Sequence, residues 1–193
     1  MSVDLTTSTN TTLTGDYVVD VAHSRVGFVA RHAMVTKVRG QFNELDATAH
    51  LNFADPTASS AEVTLQVASV DTRNAQRDGH LRANDFFDAE RFPQITYRST
   101  AVEVLGDDRF RVTGDLTMKG TTRPVAIDFE YTGTAVDPFG STRVGFEGST
   151  VVNRRDWGVE WNAPLEAGGV LVSEKVTLEF EISAIRVQAP DAG

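Results

Sequence analysis

The chain has 193 residues, a formal net charge of −9 and no cysteine. An isoelectric point near 4.9 argues against nucleic acid as a main partner, because that binding needs a basic face. It argues equally against non-specific adhesion to anionic lipid surfaces. The missing thiols exclude disulfides, thiol chemistry and cysteine-based metal sites.

Residues 1–14 are rich in Thr, Ser and Asn and are expected to be a disordered tail, as is the short stretch 188–193. The first residues carry no basic segment and no apolar segment of a secretory signal. No run approaches the roughly 18 apolar residues of a spanning helix. The expected compartment is therefore the cytoplasm. Residues 15–187 read as one domain, since 193 residues are few for two.

Rough period-two patterns cover 17–21, 25–32, 35–44 and 45–53. Ala61, Val63, Leu65 and Val67 then alternate strictly with Glu62, Thr64 and Gln66. Such a pattern gives a strand one dry and one wet face. Alternation fails at "RDGHLRANDFFD" (77–88), inside a stretch with helix features. Asn74 is a suitable N-cap. Asp78 and Arg82 sit at i, i+4 in the favourable order. Gly79 weakens the helix. The stretch is predicted as one or two helical turns and a loop ending at Pro93. It would cap a barrel mouth with Leu81, Phe86 and Phe87 inward and its charges in water. Strand patterns resume at 94–104 and 109–118. Val125, Ile127, Phe129 and Tyr131 alternate with Ala126, Asp128 and Glu130, and 142–152 follows. The last run is Val176, Leu178, Phe180, Ile182 and Ala184.

Turn residues punctuate these runs at "ADPTASS" (54–60), "LGDD" (105–108), "KGTT" (119–122) and "DPFG" (137–140). Short turns join antiparallel neighbours. Eight or more such strands close into a barrel or fold into a sandwich. Runs of about ten residues favour an extended antiparallel up-and-down β-barrel of about eight strands, with a short helix near one mouth. If its interior is not filled, the cavity is apolar.

Four histidines occur, His23, His32, His50 and His80, with no H-x-H pair. No metal site is expected. "AHSR" (22–25) is not a catalytic dyad, since strand neighbours diverge. No G-x-S-x-G, Walker A or G-x-G-x-x-G motif is present. Asp78 and His80 read as a loop-fixing pair more readily than as an acid–base pair. Arg73, Arg77, Arg82 and Arg91 cluster beside Asp71, Asp78, Asp85, Asp88 and Glu90. Neutralising those acids is the favoured reading; receiving a phosphate or diphosphate head group is the other. The tryptophans of "NRRDWGVEWN" (153–162) either plug a barrel end or line a pocket, the plug being favoured.

The stretches "VDVAHSRVGFVARHAMVTKVRGQF" (19–42), "ASVDTRNAQRDGHLRANDFFDAERFPQITYRS" (68–99) and "GDLTMKGTTRPV" (114–125) resemble the YceI family. So does "RRDWG", with Trp157 where Phe is more usual. The resemblance spans about 15–187. It implies a lipocalin-like barrel whose apolar tunnel holds a long isoprenoid lipid, sometimes with a diphosphate or quinone head. His23, Ser24, Asp78 and His80 fall on signature positions with no catalytic role implied.

With that resemblance, the candidate tunnel-lining residues are Phe28, Val38, Phe42, Leu81, Phe86, Phe87, Tyr97, Leu116, Phe146, Trp157 and Phe180. The candidate head-group residues are Arg77, His80 and Arg82. The expected function is non-catalytic binding and carriage of an isoprenoid-type lipid, with no catalytic residue, metal or cofactor beyond that ligand. A homodimer is one of the open oligomeric states. The competing readings are a small barrel enzyme acting on an apolar substrate and a ligand-free stress-response or interaction scaffold.

Overall fold

Period-two alternation becomes strand along most of the chain. A computed structural model describes residues 12–188, so the tails expected at 1–14 and 188–193 lie almost wholly outside the described residues. At the near edge, the Tyr17 hydroxyl donates to the Leu13 carbonyl at 2.6 Å and the Phe53 N–H donates to Thr14 Oγ1 at 3.0 Å.

In chain order the elements are β1 (Gly15–Val19), β2 (Arg25–His32), β3 (Thr36–Phe42), β4 (Leu45–Leu51), β5 (Ser60–Gln66), β6 (Val70–Asp71), α1 (Ala75–Arg82), β7 (Gln94–Gly106), β8 (Arg109–Met118), β9 (Thr121–Val136), β10 (Thr142–Asn153) and β11 (Lys175–Arg186). The pairings are antiparallel and run β1-β4-β5-β7-β8-β9-β10-β11, and β1 pairs back onto β11 with Val19 opposite Ala184. β2 and β3 extend β1 and β4 as two long, interrupted strands. The result is a closed eight-stranded antiparallel barrel with one short helix, and closure leaves the main wall no free edge.

The break between β1 and β2 is held by local chemistry. Asp20 caps the helical turn Val21–His23, accepting from the Ala22 N–H. Its own N–H donates to the Ser183 carbonyl at 2.8 Å. The Ser24 hydroxyl donates to the Ser183 carbonyl and accepts from the Ser183 N–H at 2.9 Å. A side chain thus replaces the ladder where the backbone leaves it. Arg143 binds Asp20 and also Asp137, and its hydrogen bond is the main reason the Asp20 carboxyl lies below the ordinary carboxylate range.

One end of the barrel is covered by two arms. The first is α1 with residues 83–93. Asn74 caps α1, accepting from the Arg77 N–H, as its sequence position predicts. The expected Asp78–Arg82 pair does not form. Asp78 is 8% exposed and turns inward. Its Oδ1 accepts from the Thr72 N–H at 2.9 Å and the Thr72 hydroxyl at 2.5 Å. Arg77 Nε donates to the Thr72 hydroxyl at 2.7 Å. The backbone donor of Thr72 outcompetes a solvated i, i+4 contact, because leaving it buried and unpaired costs more than that contact returns. The second arm, residues 158–174, folds back along the barrel end, with the Ser173 N–H donating to the Arg31 carbonyl and the Ala33 N–H to the Leu171 carbonyl. Lys119, at the β8–β9 turn, donates to the carbonyls of both Asn84 and Gly158 and so ties the arms together.

Asp78→Ala is expected to lower the unfolding free energy by about 1–3 kcal/mol, because it strips the acceptor from a buried N–H and hydroxyl. Urea unfolding at neutral pH measures this, with Arg82→Ala as the near-neutral comparison.

Candidate functional site: an apolar tunnel

The inward faces of the strands enclose a cavity of about 510 Å³, within the usual range for small-molecule sites. Its wall is drawn from nearly every strand. Ala61, Val63 and Leu65 come from β5, and Val125, Ile127, Phe129 and Tyr131 from β9. β11 gives Val176, Leu178, Phe180, Ile182 and Ala184. These are the dry faces read from alternation, apart from Val67, which is 1% exposed in the core. At the covered end Leu81, Phe86 and Phe87 close the lining; at the other, Leu13, Phe53, Pro56 and Asp108 do.

A barrel of eight strands can be filled by its own side chains. Here several large rings lean across the wall onto a glycine of the neighbouring strand. A Cβ at Gly40 would stand 2.3 Å from Phe28 Cζ, one at Gly148 2.5 Å from Phe129 Cδ1, and one at Gly114 2.5 Å from Tyr97 Cζ. Each ring occupies the place of a missing side chain instead of the middle of the bore. Ring pairs then line the wall: Phe28–Phe42 at 5.9 Å, Phe42–Phe87 at 6.0 Å, Phe129–Phe180 at 5.7 Å and Tyr131–Phe146 at 5.6 Å between centroids.

Phe28, Phe42, Leu81, Phe86, Phe87, Tyr97, Leu116, Phe146 and Phe180 all line this cavity; Val38 and Trp157 do not. Val38 stands opposite Ala30 near the β2–β3 turn and is half-buried outside the lining. Trp157 is 2% exposed and donates its indole N–H to the Leu116 carbonyl at 2.9 Å. It plugs the end of the barrel, as favoured from the sequence.

Arg77, His80 and Arg82 are outside the lining as well. Arg77 is spent on Thr72, and Arg82 reaches the Ala68 carbonyl at 3.3 Å. His80 faces Asp85 at 3.1 Å and packs edge-on against Phe86 and Trp161, at 4.9 and 4.7 Å between centroids. This ring cluster is where the two arms meet.

Both charged residues of the described lining, Arg154 and Asp108, escaped the sequence reading. Arg154, just after β10, is 6% exposed and faces the tunnel at the covered end. It donates to the carbonyls of Val159 at 2.7 Å, Ser173 at 2.9 Å and Val172 at 3.4 Å. Its neighbour Arg155 points outward to Glu174 at 3.0 Å. The only signal was the "RR" beside the plugging Trp157, and a turn there obeys no alternation. Asp108 is the sole carboxylate of the lining among the described residues. Among the described residues no three His, Asp or Glu side chains gather as a metal site. No described helix is long and apolar enough to cross a membrane.

A closed antiparallel barrel around an apolar cavity, with one short helix, defines a lipocalin-like barrel protein. The YceI-like domain model matches residues 17–184, and the chain belongs to that family. It is 37% identical over 150 residues to a UPF0312 protein of Azotobacter vinelandii, covering 77% of this chain and 78% of that one. With a UPF0312 protein of Pseudomonas savastanoi it shares 35% over 178 residues, 91% and 88% of the two chains. Among solved structures it is similar to BcnA of Burkholderia cenocepacia, with a TM-score of 0.76 at 26% identity over 86% of this chain and 98% of that one. The YCEI protein of Campylobacter jejuni gives 0.70 at 27% identity over 82% and 90%. A polyisoprenoid binding domain from Saccharophagus degradans shares the fold, with a TM-score of 0.67 at 14% identity over 89% of this chain and 98% of that one.

Gly40→Ala is expected to push Phe28 off the wall and lower stability by about 1–3 kcal/mol. The loss should shrink when Phe28→Ala is added, a coupling that a double-mutant cycle in urea reads directly. Burial raises the Tyr97 hydroxyl to a pKa of about 12, and it donates to the carbonyls of Val112 and Val125. Its folded value lies above its unfolded one, so its contribution is complete below about pH 10 and is lost as the pH climbs toward about 12. Thermal melts between pH 9 and 12 should therefore fall less steeply for Tyr97→Phe than for the wild type.

Proposed function

We propose that the protein binds a long-chain isoprenoid-type lipid, polyprenyl or quinone-like, in the tunnel and sequesters or carries it without turnover. The observation that carries this reading is the continuous apolar wall, which runs from the covered end to Asp108 and, among the described residues, meets only two charged ones, Asp108 and Arg154. Each five-carbon unit buried there is worth on the order of 2–4 kcal/mol before the cost of ordering the chain. A few units give tight binding with no polar contact, and head-group contacts then set orientation. Phe28, Phe42, Tyr97, Leu116 and Phe180 are the proposed tail contacts. Family membership supports the reading, as does the Saccharophagus degradans domain, whose name describes polyisoprenoid binding.

The absence of turnover rests on the same wall. General acid–base work needs two groups within reach of one reacting atom. Asp108 precedes β8, whereas Arg154 lies at the other end of that strand, beside the Trp157 that binds Leu116. They do not form such a pair.

Organic extraction of freshly purified protein followed by mass spectrometry is expected to yield a prenyl-type lipid at near-stoichiometric amounts. Phe180→Asp and Leu116→Asp put a charge into the dry bore and are expected to cut retention at least tenfold. A wild type that extracts empty, or folded variants that retain the same lipid equally, would overturn the proposal.

A further inference from the structure

We propose that the covered end of the tunnel is an anion site built on Arg154, which takes the carboxylate or phosphate of an acidic lipid and points its tail toward the Asp108 end. This rests on the tunnel reading above and adds the class of head group and its orientation.

A guanidinium carries five N–H donors. The carbonyls of Val159, Ser173 and Val172 take three of them from Arg154. Two have no acceptor among the described residues. Nor does any described carboxylate pair with it, although Arg25, Arg91, Arg98, Arg111, Arg143 and Arg155 each have one within 4.0 Å. The nearest acid in sequence beyond the loop, Glu174, is taken by Arg155 at 3.0 Å. Arg154 is thus a cation that is 6% exposed and whose hydrogen-bond partners are all neutral, the carboxylate of Glu174 acting on it only from beyond hydrogen-bond range. Burying a charge so is unfavourable unless something neutralises it, and burial, outweighing the opposing pull of Glu174, takes its pKa below the ordinary arginine value.

Its surroundings sharpen the preference. Leu81, Met118, Val152, Val159, Val172 and Val176 line the same end, so the charge acts across a medium of low dielectric. Arginine offers two parallel N–H bonds to a carboxylate or phosphate. A neutral alcohol can accept a bond but leaves the charge uncompensated. The one carboxylate among the described lining residues, Asp108, stands at the opposite end and repels an anionic head from it.

The test uses three probes with one fifteen-carbon tail: farnesol, farnesoic acid and farnesyl monophosphate. Calorimetry on the wild type is expected to show at least one of the two anions binding about tenfold or more tightly than farnesol, and which anion does so names the head group. Arg154→Gln should bring that ratio to near one while farnesol binding is kept, and Arg155→Gln should leave it unchanged. Because Arg154 also holds residues 159–173, a measurement on unaltered protein stands beside the variants: carboxyl-labelled farnesoic acid, followed by NMR, should titrate below its free value when bound. A bound carboxyl that titrates at or above its free value, or an anion preference that survives Arg154→Gln, would overturn the anion site. Farnesol binding with no anion preference overturns it too, yet leaves the tunnel intact. Failure of all three probes to bind would sink both.

Discussion

Phe28 leans onto Gly40 so closely that no Cβ fits between them, and the hollow of the barrel depends on contacts of this kind. Eight strands enclose a bore that side chains can fill, and this wall carries enough Phe, Tyr and Leu to fill it. Space survives because the large rings are laid along the wall over glycines 40, 114 and 148, while Ala47, Ala49, Ala61 and Ala184 keep other lining positions short. Sequence composition alone does not reveal a cavity. The pairing of a ring on one strand with a glycine on the next does, once the register is known.

The covered end is assembled from two arms that are far apart in the chain, each pinned by a buried charge. Asp78 fixes the α1 arm to Thr72 through two hydrogen bonds. Arg154 fixes the 158–174 arm through three carbonyls. The arms touch through the rings of His80, Phe86 and Trp161. The two charges are not equivalent. Asp78 has Arg77 one hydroxyl away, through Thr72. Arg154 has only the more distant Glu174, which Arg155 already holds, and of the two it alone borders the bore.

Most of the wall was legible because, once the barrel is read as enclosing an apolar cavity, alternation puts every apolar face inside. That is why Val63, Ile127, Phe129, Leu178 and Phe180 fell into place. The helix was legible through Asn74, whose side chain makes the capping bond its position suggests. Alternation says nothing about depth along the bore, so Val38, on the inner face but near a turn, was assigned to the lining and does not reach it. It also says nothing about turns, where Trp157 goes to the core and Arg154 to the cavity while Arg155 goes to water. The basic cluster at 73–91 attracted attention by its density. Its arginines are largely committed to nearby carbonyls, hydroxyls and acids, and the residue that matters to the bore stands alone.

Closure through β11 has a kinetic side. β11 pairs with β10, but also with β1 and β2 at the other extreme of the chain. During synthesis β1 through β10 can meander into a curved sheet, yet the first strand has no partner on that side until residues 177–186 emerge. Contacts of such sequence separation make folding slow, and the greasy concave face stays open to solvent or to other chains meanwhile. A guest that reached this nascent sheet would meet a trough, and only the arrival of the last strand would turn it into a vessel.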